Sequence, residues 1–534
     1  MRKNIKISIA SVICAAFLAA CGTGKTTTSK EVSAATPQTD FHSYINADWL
    51  KETKLGKGQS QIDNLSQLTE KTQKAIQEMI DQLDMDYSNL EAGSDEKKLI
   101  NFYRLAADFE SRNRLGLEPV KPYLDEIQKA TSMADLNKVL ISLYGKNIRN
   151  VLNLSVTQDI MDSNKNSLYL DPHKLSFPKE NYEGTDDFSL KNQKAFKAYL
   201  EKVFVMAGAS SKEAATKAEK VFELEKELAA AQLPQEKAKD IKTAYNPKSW
   251  DDVKALAPNL PITELAANLG VQDAPFVVVT DPEGLKKVSE LYQEKHLEAL
   301  KALLQYRVIA HYSDYLSEDL IEAKAKYEGV ANGAVDVPTT DVLAQSAVEE
   351  NFSDMVGKVY VKNHFSEESK ADIQAMVQEI KQTYAERIKA VQWMSEETKM
   401  QALKKLDTMV VKIGYPDKWK DYSNYTIQSK EEGGSIVPAV EMIRTQELQE
   451  EMAQLKNPFD KSQFGMPAHM VNAYYSPGSN EIVFPAGILQ APFYDPKASP
   501  EENLGGIGAV IGHEISHAFD KSGSQFDENG NLVN

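Results

Sequence analysis

Apolar residues recur every three to four positions through most of residues 40–450, which is the spacing of helices that bury one face. The clearest stretch is Ser366–Ile388, which opens on a favourable N-cap residue. Its apolar positions on one helix face are Ile373, Met376, Val377, Ile380, Tyr384 and Ile388. The same period runs through Ile62–Leu83. We therefore predict a mainly α-helical chain with these stripes in its core.

A third stripe illustrates the polar faces of these helices. Val221, Leu224 and Leu228 repeat the helical period, and Pro234 closes the segment. The opposite positions of Lys217–Glu227 are rich in lysine and glutamate. We predict that this charged face is exposed to solvent.

Strand patterns are few. Phe276–Val279 is an apolar run before the Asp281-Pro282 break. Val471–Tyr475 and Glu481–Phe484 flank a turn-forming segment, so we predict a strand, a turn and a strand there. An edge strand of this kind can bind an extended peptide through backbone hydrogen bonds, with Asn472 adding a side-chain amide. The predicted fold class is mainly α with a small β component.

The first 20 residues have the organisation of a secretory signal peptide. Three basic residues precede Ile7–Ala20, a stretch of 14 uncharged residues that is too short for a comfortable membrane span. Leu18–Gly22 resembles the bacterial lipobox, in which the cysteine, here Cys21, is lipidated after cleavage. An ordinary signal peptide with an incidental cysteine is the alternative. Residues 21–39 are predicted to form a flexible tether.

Charge and cysteine usage narrow the class of protein. The chain has 61 Lys+Arg against 78 Asp+Glu, a net charge of −17, which argues against nucleic acid as a partner. Cys14 leaves with the signal peptide, so no disulfide is expected in the exported protein. We expect a protein at the bacterial cell surface, lipid-anchored through Cys21 to the outer face of the cytoplasmic membrane.

His513–His517 is an H-E-x-x-H motif. Residues four apart lie on one face of a helix, so both imidazoles can bind one Zn²⁺ at about 2.0–2.1 Å. The carboxylate of Glu514 can then take a proton from the attacking water during peptide hydrolysis. A surface helix with an accidental histidine pair is the alternative.

The residues before the motif predict that it is helical. Ser499-Pro500-Glu501-Glu502 has the pattern of a capping box with proline at the first helical position. The apolar residues that follow at helical spacing are Leu504, Ile507, Val510 and Ile511. We therefore predict one helix from Ser499 into the motif.

Three segments in the C-terminal part resemble the neprilysin (M13) family of metallopeptidases: Asn472–Tyr475, Phe484–Leu489 and Gly505–Asp520. The earlier segments that resemble the N-terminal domain of that family, closest to its bacterial oligopeptidases, are Phe41–Trp49, Leu168–Asp171, Tyr245–Pro247, Trp393–Ser395 and Ile413–Trp419. The resemblance extends from about residue 40 to the end.

The resemblance implies a large helical domain, residues 40–450, followed by the start of a thermolysin-like (zincin) catalytic domain, residues 451–534. The two lobes would enclose a cavity that restricts substrates to short peptides, cleaved on the amino side of hydrophobic residues. His513 and His517 would bind zinc, one ion per complete enzyme. Glu514 would be the catalytic base. Asn472 and Ala473 would bind the substrate backbone.

A catalytic zinc needs three protein ligands. The family's third ligand is a glutamate in an E-x-x-x-D motif well downstream of the HExxH helix, which would lie beyond Asn534. We expect the sequence to be a fragment of a longer enzyme and to be inactive alone. Asp520, Asp527 and Glu528 are the nearest acidic substitutes, and we expect no rescue from them. A non-catalytic surface lipoprotein that binds peptides or host proteins is the alternative function.

Overall fold

The computed structural model describes residues 35–56, 59, 61–333 and 337–533. The predicted signal peptide, Cys21 and most of the predicted tether lie outside these residues. Within the described part, no helix combines the length and apolar character needed to cross a membrane.

Helices dominate the described residues, as the apolar periodicity predicts. Their bounds are Phe41–Ile45, Ala47–Glu52, Asn64–Met85, Asp95–Ala107, Phe109–Leu115, Lys121–Lys129, Met133–Gly145, Lys179–Glu183, Asp187–Met206, Ser211–Ala231, Gln235–Ala238, Trp250–Leu256, Ile262–Asn268, Pro282–Leu291, Leu297–Tyr312, Glu318–Asn332, Thr340–Asn351, Ser353–His364, Glu367–Ala390, Glu396–Thr408, Ile436–Ala453, Pro500–Gly505 and Ile507–Ser516. The helix Glu367–Ala390 begins where predicted, because Ser366 Oγ accepts a hydrogen bond from the backbone N–H of Ser369 at 3.1 Å.

The prediction of a solvated face at Lys217–Glu227 is wrong at Glu225, which is fully buried. Arg307 Nη2 donates to Glu225 Oε1 at 2.7 Å, and His173 Nε2 lies 2.9 Å from the same oxygen. The hydroxyl of Tyr182 donates to the other carboxylate oxygen. A buried carboxylate is tolerated here because polar partners from three other segments surround it. The spacing of apolar residues within one helix cannot predict partners that come from other segments of the chain.

One sheet lies in the N-terminal part. Its strands are β1 (Leu152–Gln158), β2 (Asn166–Pro172), β3 (Asn246–Lys248) and β4 (Val277–Val279), in the order β1-β2-β4-β3. The pair β1 and β2 is antiparallel, and β2 runs parallel to β4. The strand predicted at Phe276–Val279 is therefore confirmed as β4.

The second sheet supports the HExxH motif. Its strands are β5 (Val410–Gly414), β6 (Tyr474–Ser476) and β7 (Glu481–Pro485), in the order β5-β7-β6. β7 runs parallel to β5 and antiparallel to β6, so β6 lies at an edge, as predicted. Asn480 closes the turn between β6 and β7 at φ 46°, a left-handed conformation that asparagine tolerates.

Buried apolar side chains form two large cores. The first lies mainly within the helices and sheet of the N-terminal part and also includes Ala468 and Ala486. The second joins the helices Glu367–Ala390 and Glu396–Thr408 to β5, β7 and the HExxH helix (Ile507–Ser516). Residues from both sides of position 450 therefore share this core. The domain boundary predicted there stays a prediction.

Candidate active site

The HExxH helix is a separate helix rather than the continuation predicted from Ser499. The predicted capping box is present at the start of Pro500–Gly505. The chain then breaks at Gly506 (φ −88°, ψ −99°), and the N–H of Ile507 donates to the carbonyl of Phe493 at 2.7 Å. A Cβ at Gly506 would lie 2.3 Å from that carbonyl oxygen. A side chain at position 506 would clash with the carbonyl oxygen of Phe493, which explains the glycine. The break separates the HExxH helix from the helix Pro500–Gly505.

The apolar face of the HExxH helix anchors it in the second core. Ile507, Ile511 and Ile515 are fully buried. The hydroxyl of Tyr384, from a helix over a hundred residues earlier, donates to the carbonyl of Gly512 at 2.7 Å. These contacts fix the rotation of the helix, and with it the direction of the motif side chains.

The two motif histidines lie side by side. The Nε2 atoms of His513 and His517 are 3.1 Å apart, and their rings cross at 81°. Two nitrogen ligands about 2.0–2.1 Å from one tetrahedral Zn²⁺ are about 3.4 Å apart. The pair therefore fits the donor geometry of a zinc ion.

Asp520 sets the orientation of His517. The Nδ1–H of His517 donates to Asp520 Oδ2 at 2.8 Å, because a carboxylate oxygen can only accept. This bond leaves the Nε2 lone pair available to a metal. Asp520 Oδ1 accepts from the backbone N–H groups of Ser522 and Gly523 at 2.8 and 2.7 Å. Both carboxylate oxygens of Asp520 therefore have protein partners, one on the ring of His517 and the other on the backbone.

The other acidic substitutes also have partners elsewhere. Asp527 Oδ1 accepts from the N–H groups of Asn529 and Asn531 at 2.9 and 2.8 Å, and Glu528 pairs with Lys404 at 2.5 Å. Within the described part of the chain, no group of three or more His, Cys, Asp or Glu side chains could hold a metal ion. That these acids do not complete the zinc site stays a prediction.

Glu514 lies between the HExxH helix and β6 and is 3% exposed. Burial raises its pKa to about 7, while His517 and a hydrogen bond from the backbone N–H of Tyr475 act in the opposite direction. A carboxylate with a pKa near the working pH is suited to accept and return a proton. The Tyr475 contact also ties this carboxylate to the edge strand.

Asn472 and Ala473 precede β6 rather than lying within it, so the predicted strand begins later than expected. Asn472 Oδ1 accepts from the N–H of Ala473 at 2.9 Å. This bond takes up the N–H of Ala473 just before β6 begins. The structure thus brings both residues to the edge strand that contacts Glu514.

Asp520 gives a testable prediction for the metal site. Asp520→Asn keeps an acceptor for His517 but removes the charge that strengthens the imidazole as a ligand, so zinc affinity should fall by about 10–100-fold. Competition with a zinc chelator measures the zinc affinity of the parent protein and of the variant. Asp527→Asn, which keeps its turn contacts, is the control and should change affinity little. Equal affinity in the parent protein and Asp520→Asn would contradict this role.

Comparison with known proteins gives the class of enzyme. A Streptococcus gordonii protein named as a zinc metalloproteinase is 30% identical over 502 residues, covering 93% of this chain and 88% of that protein. The neutral endopeptidase of Lactobacillus helveticus is 28% identical, covering 94% of this chain and 77% of the relative. The protein is a zinc-dependent metalloendopeptidase.

The family follows from two matches and from solved structures. Both matching families are described as peptidase family M13, one as its N-terminal part over residues 37–416 and the other over residues 472–534. Inhibitor-bound Zmp1 of Mycobacterium tuberculosis has a TM-score of 0.86 at 28% identity, covering 94% of this chain and 76% of that chain. PepO from Lactobacillus rhamnosis HN001 has a TM-score of 0.86 at 27% identity, covering 94% and 79%. The chain belongs to peptidase family M13, which confirms the predicted family and fold class.

Proposed function

We propose that His513 and His517 bind the catalytic zinc and that Glu514 is the base for peptide hydrolysis. The observation that carries this proposal is the pairing of two convergent Nε2 atoms, 3.1 Å apart, with a buried carboxylate one residue away. A bound zinc ion would polarise the peptide carbonyl and acidify the attacking water. Glu514 would take the proton from that water and deliver it to the leaving amine.

We also propose that short peptides bind in extended form along β6 and are cleaved on the amino side of hydrophobic residues. Asn472 and Ala473 would contact the substrate backbone where the edge strand begins. The Tyr475 backbone N–H, which lowers the pKa of Glu514, supports this proposal because it brings the edge strand beside the base. A peptide bound along β6 would then lie close to Glu514.

Zinc titration tests the ligand set. We propose that the enzyme binds one zinc ion and that His513 and His517 supply two of the three protein ligands that a catalytic zinc needs. His513→Gln should then abolish zinc binding and the turnover of a quenched hydrophobic peptide, whereas His364→Gln should change neither. Zinc binding by His513→Gln equal to that of the parent protein would contradict this ligand set.

We further propose that the mature protein is lipid-anchored through Cys21 on the outer face of the cytoplasmic membrane. The lipobox-like Leu18–Gly22 supports this proposal. Cys21→Ala, or globomycin treatment of the parent strain, should move the protein from the membrane to the soluble fraction, with Cys14→Ala as control. Unchanged partitioning would reject the anchor.

A further inference from the structure

A buried lysine on the helix Glu396–Thr408 contacts the chain just after the motif histidines. Lys405 is 5% exposed, although the helix around it is rich in exposed charged residues. Its Nζ donates to the carbonyl oxygens of Gly523 and Phe526 at 2.6 and 2.7 Å. Burial lowers the pKa of this amine to about 8, and nearby carboxylates oppose that shift. Burying an ammonium group costs free energy, so its placement here needs an explanation.

The segment that Lys405 holds also holds Asp520. The N–H of Gly523 donates to Asp520 Oδ1 at 2.7 Å, and the other carboxylate oxygen accepts from His517 Nδ1 at 2.8 Å. A Cβ on Gly523 would lie 1.8 Å from the carbonyl oxygen of His517. The backbone after the motif is therefore packed tightly on the end of the HExxH helix. A shift at Gly523 would move Asp520 against His517.

The backbone of Lys405 is fixed as well as its side chain. Asn480 Nδ2 donates to the carbonyl oxygen of Lys405 at 2.9 Å, and Asn480 Oδ1 accepts from the hydroxyl of Tyr475 at 3.1 Å. Tyr475 is the residue whose backbone N–H bonds Glu514. Lys405 thus connects the helix Glu396–Thr408 to the segment 520–526 on one side of the proposed site and, through Asn480, to Tyr475 of β6 on the other.

We propose that Lys405 is a positioning residue for the zinc site, which acts by fixing the segment 520–526 and, through Asp520, the ring of His517. This inference rests on the proposed roles of His513 and His517. Without the amine, the buried carbonyl group of Phe526 loses the ammonium donor, while that of Gly523 keeps the N–H of Phe526 at 3.1 Å. The segment can relieve the cost at Phe526 by moving toward water. Asp520 would then orient His517 less well, and metal affinity depends on such outer contacts.

The test compares Lys405→Met with Lys404→Met in the full chain. Methionine has nearly the length of lysine and favours helix, so the packing changes little. Lys404 is the matched control, because it lies on the same helix as Lys405 but has an exposed side chain, which pairs with Glu528. We expect zinc affinity, measured by chelator competition, to fall about tenfold or more in Lys405→Met. Lys404→Met should stay within about twofold of the parent.

A double-variant comparison separates positioning from general support. If Lys405 acts through Asp520, Lys405→Met should weaken zinc binding little further in an Asp520→Asn background. Additive losses would overturn the inference. Chemical rescue is a further test: Lys405→Cys, alkylated with bromoethylamine while unfolded and then refolded, regains an ammonium group at the length of lysine. With Cys14 and Cys21 replaced by serine, position 405 carries the sole thiol of the 534 residues, so mass spectrometry can confirm the alkylation. Zinc affinity should return in the alkylated, refolded protein, and failure to return there would reject the role.

The outcomes distinguish this inference from the proposed function. If the parent chain binds no zinc, or if His513→Gln binds as well as the parent, the proposed zinc site is wrong. If the parent binds zinc through His513 and Lys405→Met binds equally well, the site stands and the positioning role of Lys405 is wrong.

Discussion

Glu514→Gln should retain zinc and lose peptide hydrolysis by at least about 10²–10⁴-fold. The amide has the shape of the carboxylate and can still accept the N–H of Tyr475, so His513 and His517 should keep their positions. It cannot accept a proton at neutral pH. Turnover of a quenched hydrophobic peptide, together with zinc content by atomic absorption, measures both parts of this expectation.

The control for this variant is Glu501→Gln, an exposed acid in the first turn of the preceding helix. It should leave turnover and zinc content unchanged. Loss of zinc in Glu514→Gln would mean that the residue supports the metal rather than the proton transfer. Activity within tenfold of the parent would remove Glu514 from the role of base.

The sequence is informative where the relevant interactions are local. The cap at Ser366 and the capping box at Ser499 act within one turn, so their residues alone predict where the helices begin. The alternation of Leu152, Leu154 and Val156 with polar residues is the strand pattern that would have revealed β1, which was not predicted.

Non-local contacts account for the features that the sequence did not predict. The helix break at Gly506 depends on a hydrogen bond from Ile507 to Phe493, which helical spacing cannot predict. β5 pairs with β7, about seventy residues later. In the candidate site, the HExxH spacing predicts that the two imidazoles lie together. It does not predict Lys405, because only the packing of segment 520–526 distinguishes it from its exposed neighbours.

Glu225 shows how a charged residue on an apparently polar face can become part of the core. Burial would raise the pKa of Glu225, but Arg307 and His173, together with the Tyr182 hydroxyl, outweigh that effect and hold the pKa at about 2. The carboxylate therefore stays ionised in the folded protein. It neutralises Arg307, whose side chain is largely buried beside it.

Glu225→Gln should lower the free energy of unfolding at pH 7 by about 3 kcal/mol, at the lower end of the range for breaking a buried ion pair, because Arg307 loses its counter-charge. Glu223→Gln, an exposed position on the same helix, should lower the free energy of unfolding by less than about 0.5 kcal/mol.

Because the folded pKa of Glu225 lies below its unfolded value of 4.5, the contribution of Glu225 to stability is complete above about pH 4.5. It is lost as the pH falls toward 2, so the difference between parent and Glu225→Gln should shrink over that interval. Urea unfolding of the parent protein and of Glu225→Gln from pH 7 to pH 2.5 measures this difference in the free energy of unfolding. A pH-independent difference, or one no larger than that of Glu223→Gln, would show that the ion pair contributes nothing to the stability of the N-terminal core.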